Sequence, residues 1–216
     1  MHHSEKEFDS CASLFNMSLT VLVQNLEKQA GLASALIDKY NPDLFLAQEI
    51  SISSEVVTFQ AHSVSRRGYG TAIYSKQKEL SNIRTVLSPH AENIPFIVKK
   101  TTIANLENIQ LVTIHAYNGW PTKKVEYLVD HIVAVLSSLE AGPVLFAGDF
   151  NTWTEAHVKA VRDTMAESGF DLAYSWPYPS RDIPLDHAFT RGVNVSNCSF
   201  FKSESDHQGA LFTLHL

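Results

Sequence analysis

The chain is short of cysteine: its 216 residues hold two, Cys11 and Cys198, near opposite ends. Neither belongs to a closely spaced set, so nothing suggests a disulfide framework or a thiolate metal site, and both read as reduced thiols. A long apolar run is missing as well, and with it the roughly 20-residue segment that a membrane-crossing helix needs. The opening "MHHSEKEFDSCASLFNMS" has mixed charge and no apolar core. It therefore does not read as a secretory signal, and a soluble cytoplasmic protein is the expectation. Positive charge is not in excess: 17 basic residues face 23 acidic ones, for a formal net charge of -6. Sequence-wide attraction to phosphate backbones is thereby excluded, and any nucleic-acid contact must be local. No internal repeat, low-complexity linker, amphipathic basic helix or Arg-rich insert occurs. The chain thus carries no mark of a solenoid, a membrane-surface enzyme or a dedicated phosphoinositide pocket.

What is present is apolar residues, 44% of the chain, enough for one sizeable core. A single domain over residues 19–216 is expected, with one core and not two, 1–18 a flexible N-terminal extension and Met17 a candidate start. Short β-type runs read as strands: "LTVLV", "DLFLAQ", "GTAIYS", "PFIVKKTTIA", "IQLVTIH", "PVLFAG", "LDHAFT", "VSNCSFF" and "ALFTLHL". So many strands imply two sheets. Residues 122–139 read as the clearest helix, because Val125, Leu128, Val129, Ile132, Leu136 and Leu139 form one apolar stripe. A second helix is expected after Thr152, which has capping-box spacing to Glu155, and a first one over about 28–40, ending before Asn41-Pro42. Strands covered by such helices make a layered α/β domain.

Polar residues recur where these strands end. Asn25 follows "VLVQ", Glu49 follows "DLFLAQ", and "LVTIHAYN" ends on His115 with Asn118 three further on. "VLFAGDFNTW" supplies Asp149 and Asn151, "PLDHAF" supplies Asp186, and "SESDHQG" supplies Asp206 and His207. Each alone has an ordinary explanation, since Asn, Asp and Gly after a strand are the vocabulary of turns and caps. Six independent strand ends closing on oxygen or imidazole groups exceed what turn chemistry requires. Asp149 and Asn151, two apart in an extended segment, would project to one side toward one ligand.

The order Asn, Gln-Glu, strand-end His, "GDFN", Leu-Asp and "SDH" resembles the endonuclease/exonuclease/phosphatase superfamily, which includes deoxyribonuclease I, abasic-site endonucleases, inositol-polyphosphate phosphatases and neutral sphingomyelinases. The resemblance runs from Leu19 to Leu216, and "AGDFNTW" and "PLDHAFTRGVNVS" are similar to a small bacterial branch of it. It implies a four-layer α/β sandwich of two mixed β-sheets packed face to face with helices outside. It further implies a site for Mg²⁺ or Mn²⁺ at Asn25, Glu49 and Asp206, with Asn25 acting chiefly through water or phosphate. Hard oxygen donors of this kind suit such ions. Asp149 would orient or deprotonate the attacking water, and Asn151 would hold the phosphate and this acid. His207 would be the paired histidine, fixed and kept protonated by Asp186, while His115 and Asn118 would touch non-bridging phosphate oxygens.

Departures from the larger relatives narrow the substrate. About twenty residues separate Glu49 from "GYGTAIYS", which leaves little room for loops that grip and kink duplex DNA, so lesion recognition is not expected. Gln24 stands where an aromatic residue is common and is expected to affect packing more than chemistry. His187 reads as a packed, hydrogen-bonded residue beside the cluster. His62, His90, His131, His157 and His215 show no partner pattern. Arg66-Arg67, Lys99-Lys100 and Lys123-Lys124 are the only local basic pairs, with Tyr69, Tyr117 and Trp120 as possible stacking platforms. Trp120, Lys123 and Lys124 are candidates for the site's rim. The reading is a metal-dependent phosphodiester hydrolase, a monomer acting on DNA or RNA with low sequence specificity. The alternative is the same chemistry on a lipid or small phosphate ester; a silent binding module would not need this set of acids and histidines.

Overall fold

Period-two alternation decides where each side chain of the central strands goes. The computed structural model describes residues 17–65, 68–92, 97–119 and 122–216. In β1 (Ser18–Asn25), Val21 and Val23 point one way and Leu22 the other; in β2 (Leu44–Ser51), Leu44 and Leu46 oppose Phe45. The inward set meets Leu111, Leu145 and Ala147 of a second sheet, and this central core also takes Trp176 and Phe212. Leu22 and Phe45 pack outward with Leu32 and Leu36 of α1 (Leu32–Tyr40). On the far side, Val112, Ile114 and Phe146 pack with Leu128 and Ile132 of α2 (Val125–Leu136) and Val161 and Met165 of α3 (Glu155–Glu167). Strands covered on both faces read as continuous apolar runs, which is why the sequence announces them.

The result is the expected four-layer sandwich. The remaining strands are β3 (Ala61–Val64), β4 (Tyr69–Ser75), β5 (Ser81–Ala91), β6 (Val98–Leu106), β7 (Ile109–His115), β8 (Val144–Asp149), β9 (Asp171–Trp176), β10 (Asp186–Arg191), β11 (Asn194–Phe201) and β12 (Gly209–His215). One six-stranded sheet has the order β11-β12-β1-β2-β4-β3, the other β5-β6-β7-β8-β10-β9. Each contains one parallel pair, β1 with β2 and β7 with β8. Parallel strands end at the same edge, and their antiparallel neighbours β12 and β10 begin there. This places the ends of β1, β2, β7 and β8 and the starts of β10 and β12 together, the usual location of chemistry in an open sheet.

Several local expectations need correction. The strands β3, β5 and β9 were not anticipated: β3 has four residues, and β5 is mostly exposed, so neither carries a strong apolar signal. Helix α1 starts at Leu32 rather than near 28, because Glu27 and Lys28 hold left-handed φ values of 50° and 60° and Gly31 one of 74°. Thr152 does not cap α3. The cap is Thr154, whose side chain accepts from the His157 N–H. Thr152 is instead buried, its hydroxyl donating to the Pro184 carbonyl at 2.6 Å. β1 begins at Ser18, and the Met17 carbonyl accepts from the Leu216 N–H at 2.9 Å. The rest of the expected extension, residues 1–16, lies outside the described residues, as do Arg66, Arg67 and Trp120. No helix among the described residues is long and apolar enough to cross a membrane.

Gly148 controls how β8 delivers Asp149. Its φ is 140°, and an added Cβ would lie 2.3 Å from the Ile114 carbonyl oxygen of β7. Gly148→Ala is expected to destabilise the fold by about 3 kcal/mol in urea unfolding, because backbone must move. Gly31→Ala, where φ is 74° and nothing lies within 4 Å, should cost only about 1–2 kcal/mol from the left-handed conformation. Equal losses at the two positions would contradict the close-packing assignment at Gly148.

Candidate active site

The shared edge brings Asn25, Glu49, His115, Asp149, Asp186 and His207 together. Asp149 and Asp186 are direct register partners across β8 and β10, only 2% and 0% exposed. Two buried carboxylates that face each other resist ionisation unless a positive charge joins them. His207 supplies it. Its Nδ1 donates to Asp186 Oδ2 at 2.7 Å, and its Nε2 lies 3.8 Å from Asp149 Oδ2. Burial alone would drive this imidazole neutral, but Asp186, then Asp149 and Asp206, outweigh it and raise its pKa to about 10. Burial likewise pushes Asp149 up to about 7, against the pull of His207 and with a push from Asp186.

Asp149 Oδ2 is the centre of a hollow. Asn25 Nδ2 donates to it at 3.0 Å, and His115 Nε2 stands 3.7 Å away. The carboxylate's other oxygen accepts from the Asn151 backbone N–H at 2.8 Å. Asn151 has φ 53°, so the segment is a tight left-handed turn and not the extended strand expected. Its carboxamide is committed elsewhere: Nδ2 donates to the Ala116 carbonyl and Oδ1 accepts from Trp153 Nε1. Asn151 thus fixes Asp149 and ties the loops after β7 and β8 together.

Glu49 reaches the hollow through a register shift between Ala47 and Ile50, where its own φ is 49°. A bulge of this kind re-aims one side chain, and strain of this kind is characteristic of working sites. Burial opposes ionisation of Glu49, but the Lys28 and Lys99 ammonium groups beside it lower its pKa and keep it ionised. Burial and Lys99 keep His115 well below its usual value. It is therefore neutral, and its 3.6 Å approach to Glu49 is not an ion pair. Instead Lys99 Nζ donates to His115 Nε2 at 2.7 Å. Lys99, expected only as half of a basic pair, is thus inside the site. Lys100 turns away, donating to the Val64 carbonyl.

Of the three residues expected around a metal ion, Asn25 and Glu49 approach to 3.5 Å, and Asp206 Oδ1 lies 3.9 Å from His207 Nε2. Asn25 Oδ1 accepts from the Glu27 N–H, which turns its Nδ2 and not its oxygen toward the carboxylates. Asp206 is exposed, and its Oδ2 accepts from the Tyr178 hydroxyl at 2.9 Å. Among the described residues no three His, Cys, Asp or Glu side chains form a metal cage. Mg²⁺ does not require one, since it keeps several waters and takes one or two carboxylates plus substrate phosphates. Glu49 fits that demand: it is ionised, and a cation already stands on its Oε2, the Lys28 ammonium at 2.5 Å.

The remaining expected residues fall as follows. Asn118 lies on the loop after β7, its N–H donating to Glu92 Oε1. Lys123 Nζ stands over the Trp153 ring, whereas Lys124 turns to Tyr127. Tyr117 is no platform: it is buried against Tyr127 and His90. Gln24 donates to the Asn25 and His207 carbonyls, fastening β1 to the histidine loop. His187 is packed between Thr152 and Ser175, as expected. His131 and His157 do have partners: the Tyr117 N–H donates to His131, and His157 Nε2 lies 2.8 Å from the Lys123 carbonyl. Both steady the loop between β7 and α2.

A sequence profile described as the Endonuclease/Exonuclease/phosphatase family matches residues 21–207. The chain belongs to this family. It is 31% identical to a UPF0294 protein of Vibrio campbellii over 224 residues, which cover 91% of this chain and 78% of that one. With a UPF0294 protein of Vibrio parahaemolyticus it is 32% identical, over 52% of this chain and 43% of that one. Among solved structures, humanized D. rerio TDP2 superposes with a TM-score of 0.71 at 19% identity, covering 91% and 98% of the two chains. The mannosyl-6-phosphatase Bt3783 of Bacteroides thetaiotaomicron superposes with a TM-score of 0.60 at 13% identity, covering 91% and 99%. At such identities the likeness is one of fold. Membership of the endonuclease/exonuclease/phosphatase family supports a phosphoric ester hydrolase.

Two predictions follow the geometry. His207→Ala should lower turnover of a phosphate diester by about 10²- to 10⁴-fold, while His187→Ala should leave turnover of the folded enzyme nearly unchanged. The reverse ranking, read from initial rates on protein checked by circular dichroism, would mean that the wrong Asp-His pair has been placed at the chemistry. The second concerns pH. A rate that needs ionised Asp149 and protonated His207 rises as pH passes about 7 and falls as it passes about 10. Asp186→Asn removes the charge that raises His207, so the alkaline limb of kcat/KM should move to lower pH. An unmoved limb would show that His207 does not govern it.

Proposed function

We propose that the chain is a divalent-metal-dependent phosphodiester hydrolase that acts on DNA or RNA with little sequence preference. The observation that carries this reading is the hollow around Asp149 Oδ2, bordered by Asn25, His115 and His207 within 3.0 to 3.8 Å. Ionised Asp149 takes a proton from a water as the water oxygen bonds to phosphorus and the ester bond breaks. Entering and leaving oxygens lie on opposite sides of phosphorus, yet Asp149 and His207 flank a single point. His207 therefore serves the charge on a non-bridging oxygen and not the departing one, which takes its proton from solvent. The Lys99 ammonium, hydrogen-bonded to His115 Nε2, adds positive charge beside the same oxygens. Mg²⁺ or Mn²⁺ at Glu49 would add positive charge where negative charge grows, as preorganised electrostatics does generally.

A nucleic-acid substrate is supported by cations that cluster at the site despite the net charge of -6: Lys99 at His115, and Lys123 with Arg181 at Trp153. A structural neighbour, D. rerio TDP2, has been crystallised with a single-strand DNA product. The test is a hydrolysis panel of single- and double-stranded DNA, RNA, sphingomyelin, inositol phosphates and bis-p-nitrophenyl phosphate with Mg²⁺ or Mn²⁺. Nucleic acid should be cleaved, chelator should abolish turnover without unfolding the protein, and Glu49→Ala should lose metal affinity in calorimetric titration while keeping its helicity. Full turnover after exhaustive metal removal would end the metal-dependent reading. Turnover confined to a lipid or small ester would end the nucleic-acid one.

A further inference from the structure

Beside the hollow a cavity of about 590 Å³ opens between Trp153, Tyr178, Ser180, Arg181, Asp182 and Ile183, within the size range of small-molecule sites. Trp153 lies two residues past Asn151, and its Nε1 donates to Asn151 Oδ1 at 3.1 Å, so the indole is clamped to the loop that holds Asp149. Tyr178 links the cavity to the hollow: its ring meets Trp153 edge-on at 6.5 Å and His207 edge-on at 4.9 Å. Two cations crowd the one indole. Lys123 Nζ stands 3.3 Å from the ring centroid, and the Arg181 guanidinium 4.8 Å from it, while Arg181 also donates to the Trp153 carbonyl.

This combination selects among phosphate esters. A choline headgroup would gain from the indole but would be repelled by two neighbouring cations. An acyl chain gains nothing from them, and a sugar phosphate uses the cations but not the flat ring. An aromatic base carrying phosphate uses both. Lys123 sits over the indole at about the 3.4 Å spacing of stacked bases. A base entering there displaces its flexible ammonium sideways, onto the phosphate of the same nucleotide. Bases within a duplex are already paired and stacked, so only a single strand or an opened end presents one.

We propose that this cavity is a nucleobase subsite, in which Trp153 stacks the base next to the scissile phosphate of a single strand and Lys123 and Arg181 hold its backbone. The proposal rests on the nucleic-acid reading above. Its test compares a single-stranded oligodeoxynucleotide with one lacking the base next to the cleaved bond, using wild-type protein, Trp153→Ala and Trp153→Phe. KM is read with metal present, and dinucleotide binding is read by isothermal titration calorimetry with chelator present. Removing the base from wild-type substrate should raise KM by about 5- to 150-fold. Trp153→Ala should raise it similarly on the intact strand and add nothing on the base-less one. Trp153→Phe keeps a stacking face but loses the bond to Asn151, and should retain most of the affinity and the base dependence. If Trp153→Phe fails as badly as Trp153→Ala on both strands, the ring merely props Asn151 and the subsite is wrong. Cleavage with a KM indifferent to the base also overturns it, while leaving the nuclease reading intact. Neither cleavage nor binding of any strand, with a lipid or small ester turned over instead, overturns both.

Discussion

The molecule is organised around two carboxylates that should repel each other. Asp149 and Asp186 sit opposite on adjacent antiparallel strands, both out of water. Like charges in that position destabilise a sheet even at the surface, and burial makes the conflict worse. The His207 imidazolium resolves it, and so the structure is committed to holding His207 there. The histidine comes from the other sheet, on the loop before β12, and four contacts fix that loop. Ser205 Oγ donates to the Asn25 carbonyl at 2.7 Å and accepts from the His207 N–H; Gln24 Nε2 donates to the His207 carbonyl; Trp176 Nε1 donates to the Gln208 carbonyl. Removing the histidine would leave two buried acids with one compensating charge gone, so its chemical and structural roles cannot be separated in origin.

Backbone strain is placed where it steers these groups. Glu49 and Asn151 both hold φ near 50°, and neither is a glycine. At Glu49 the twisted residue sits inside a strand, where an unbroken pleat would have alternated it away from its neighbours. At Asn151 it closes a turn whose N–H caps the Asp149 carboxylate. Asn tolerates the left-handed region through its short polar side chain, and here that side chain is paid back with two hydrogen bonds. A glutamate has no such compensation of its own. The Lys28 ammonium at its Oε2 and the Asn25 amide 3.5 Å from its Oε1 hold it in that conformation.

Much of this was legible in the sequence because the strand ends announce it. The runs "LTVLVQN", "LFLAQE", "LVTIH" and "VLFAGD" combine buried alternation with an abrupt polar terminus, and only a sheet edge explains both. The separation of the two Asp-His pairs was legible too, since Asp186 and His207 come from different strand ends while His187 follows within a core strand. Other features were hidden for physical reasons. The turn at Asn151 follows from left-handed geometry, which no apolar period reports. Lys99 reads as a solvated lysine until the tertiary structure sets its Nζ against the His115 ring. Tyr178 and Arg181 lie in an irregular stretch between β9 and β10, and their meeting with Trp153 is purely tertiary. His131 and His157 were passed over because Thr101 and the Tyr117 N–H, and the Lys123 carbonyl, reach them only through tertiary packing.

The distribution of the site over two sheets has a further consequence. Asn25, Glu49 and His207 belong to one sheet, and His115, Asp149 and Asp186 to the other. No catalytic geometry exists within either alone; it forms when the central core closes. The closure is not left to apolar packing, which is non-directional and would tolerate sliding. Gln48 Nε2 donates to Thr113 Oγ1 at 2.9 Å, Thr113 Oγ1 donates to the Ala47 carbonyl, and Thr71 pairs with Thr102 at 2.8 Å, all across the buried interface. Gln48 and Thr113 each precede a site residue by one or two positions. Buried polar bonds are costly to leave unmade, so a slide of one sheet on the other by even one residue would break several of them at once. Directional bonds beneath the hollow thus convert the loose requirement of burying apolar faces into a single register, and that register brings Glu49 and His115 within reach of Asp149.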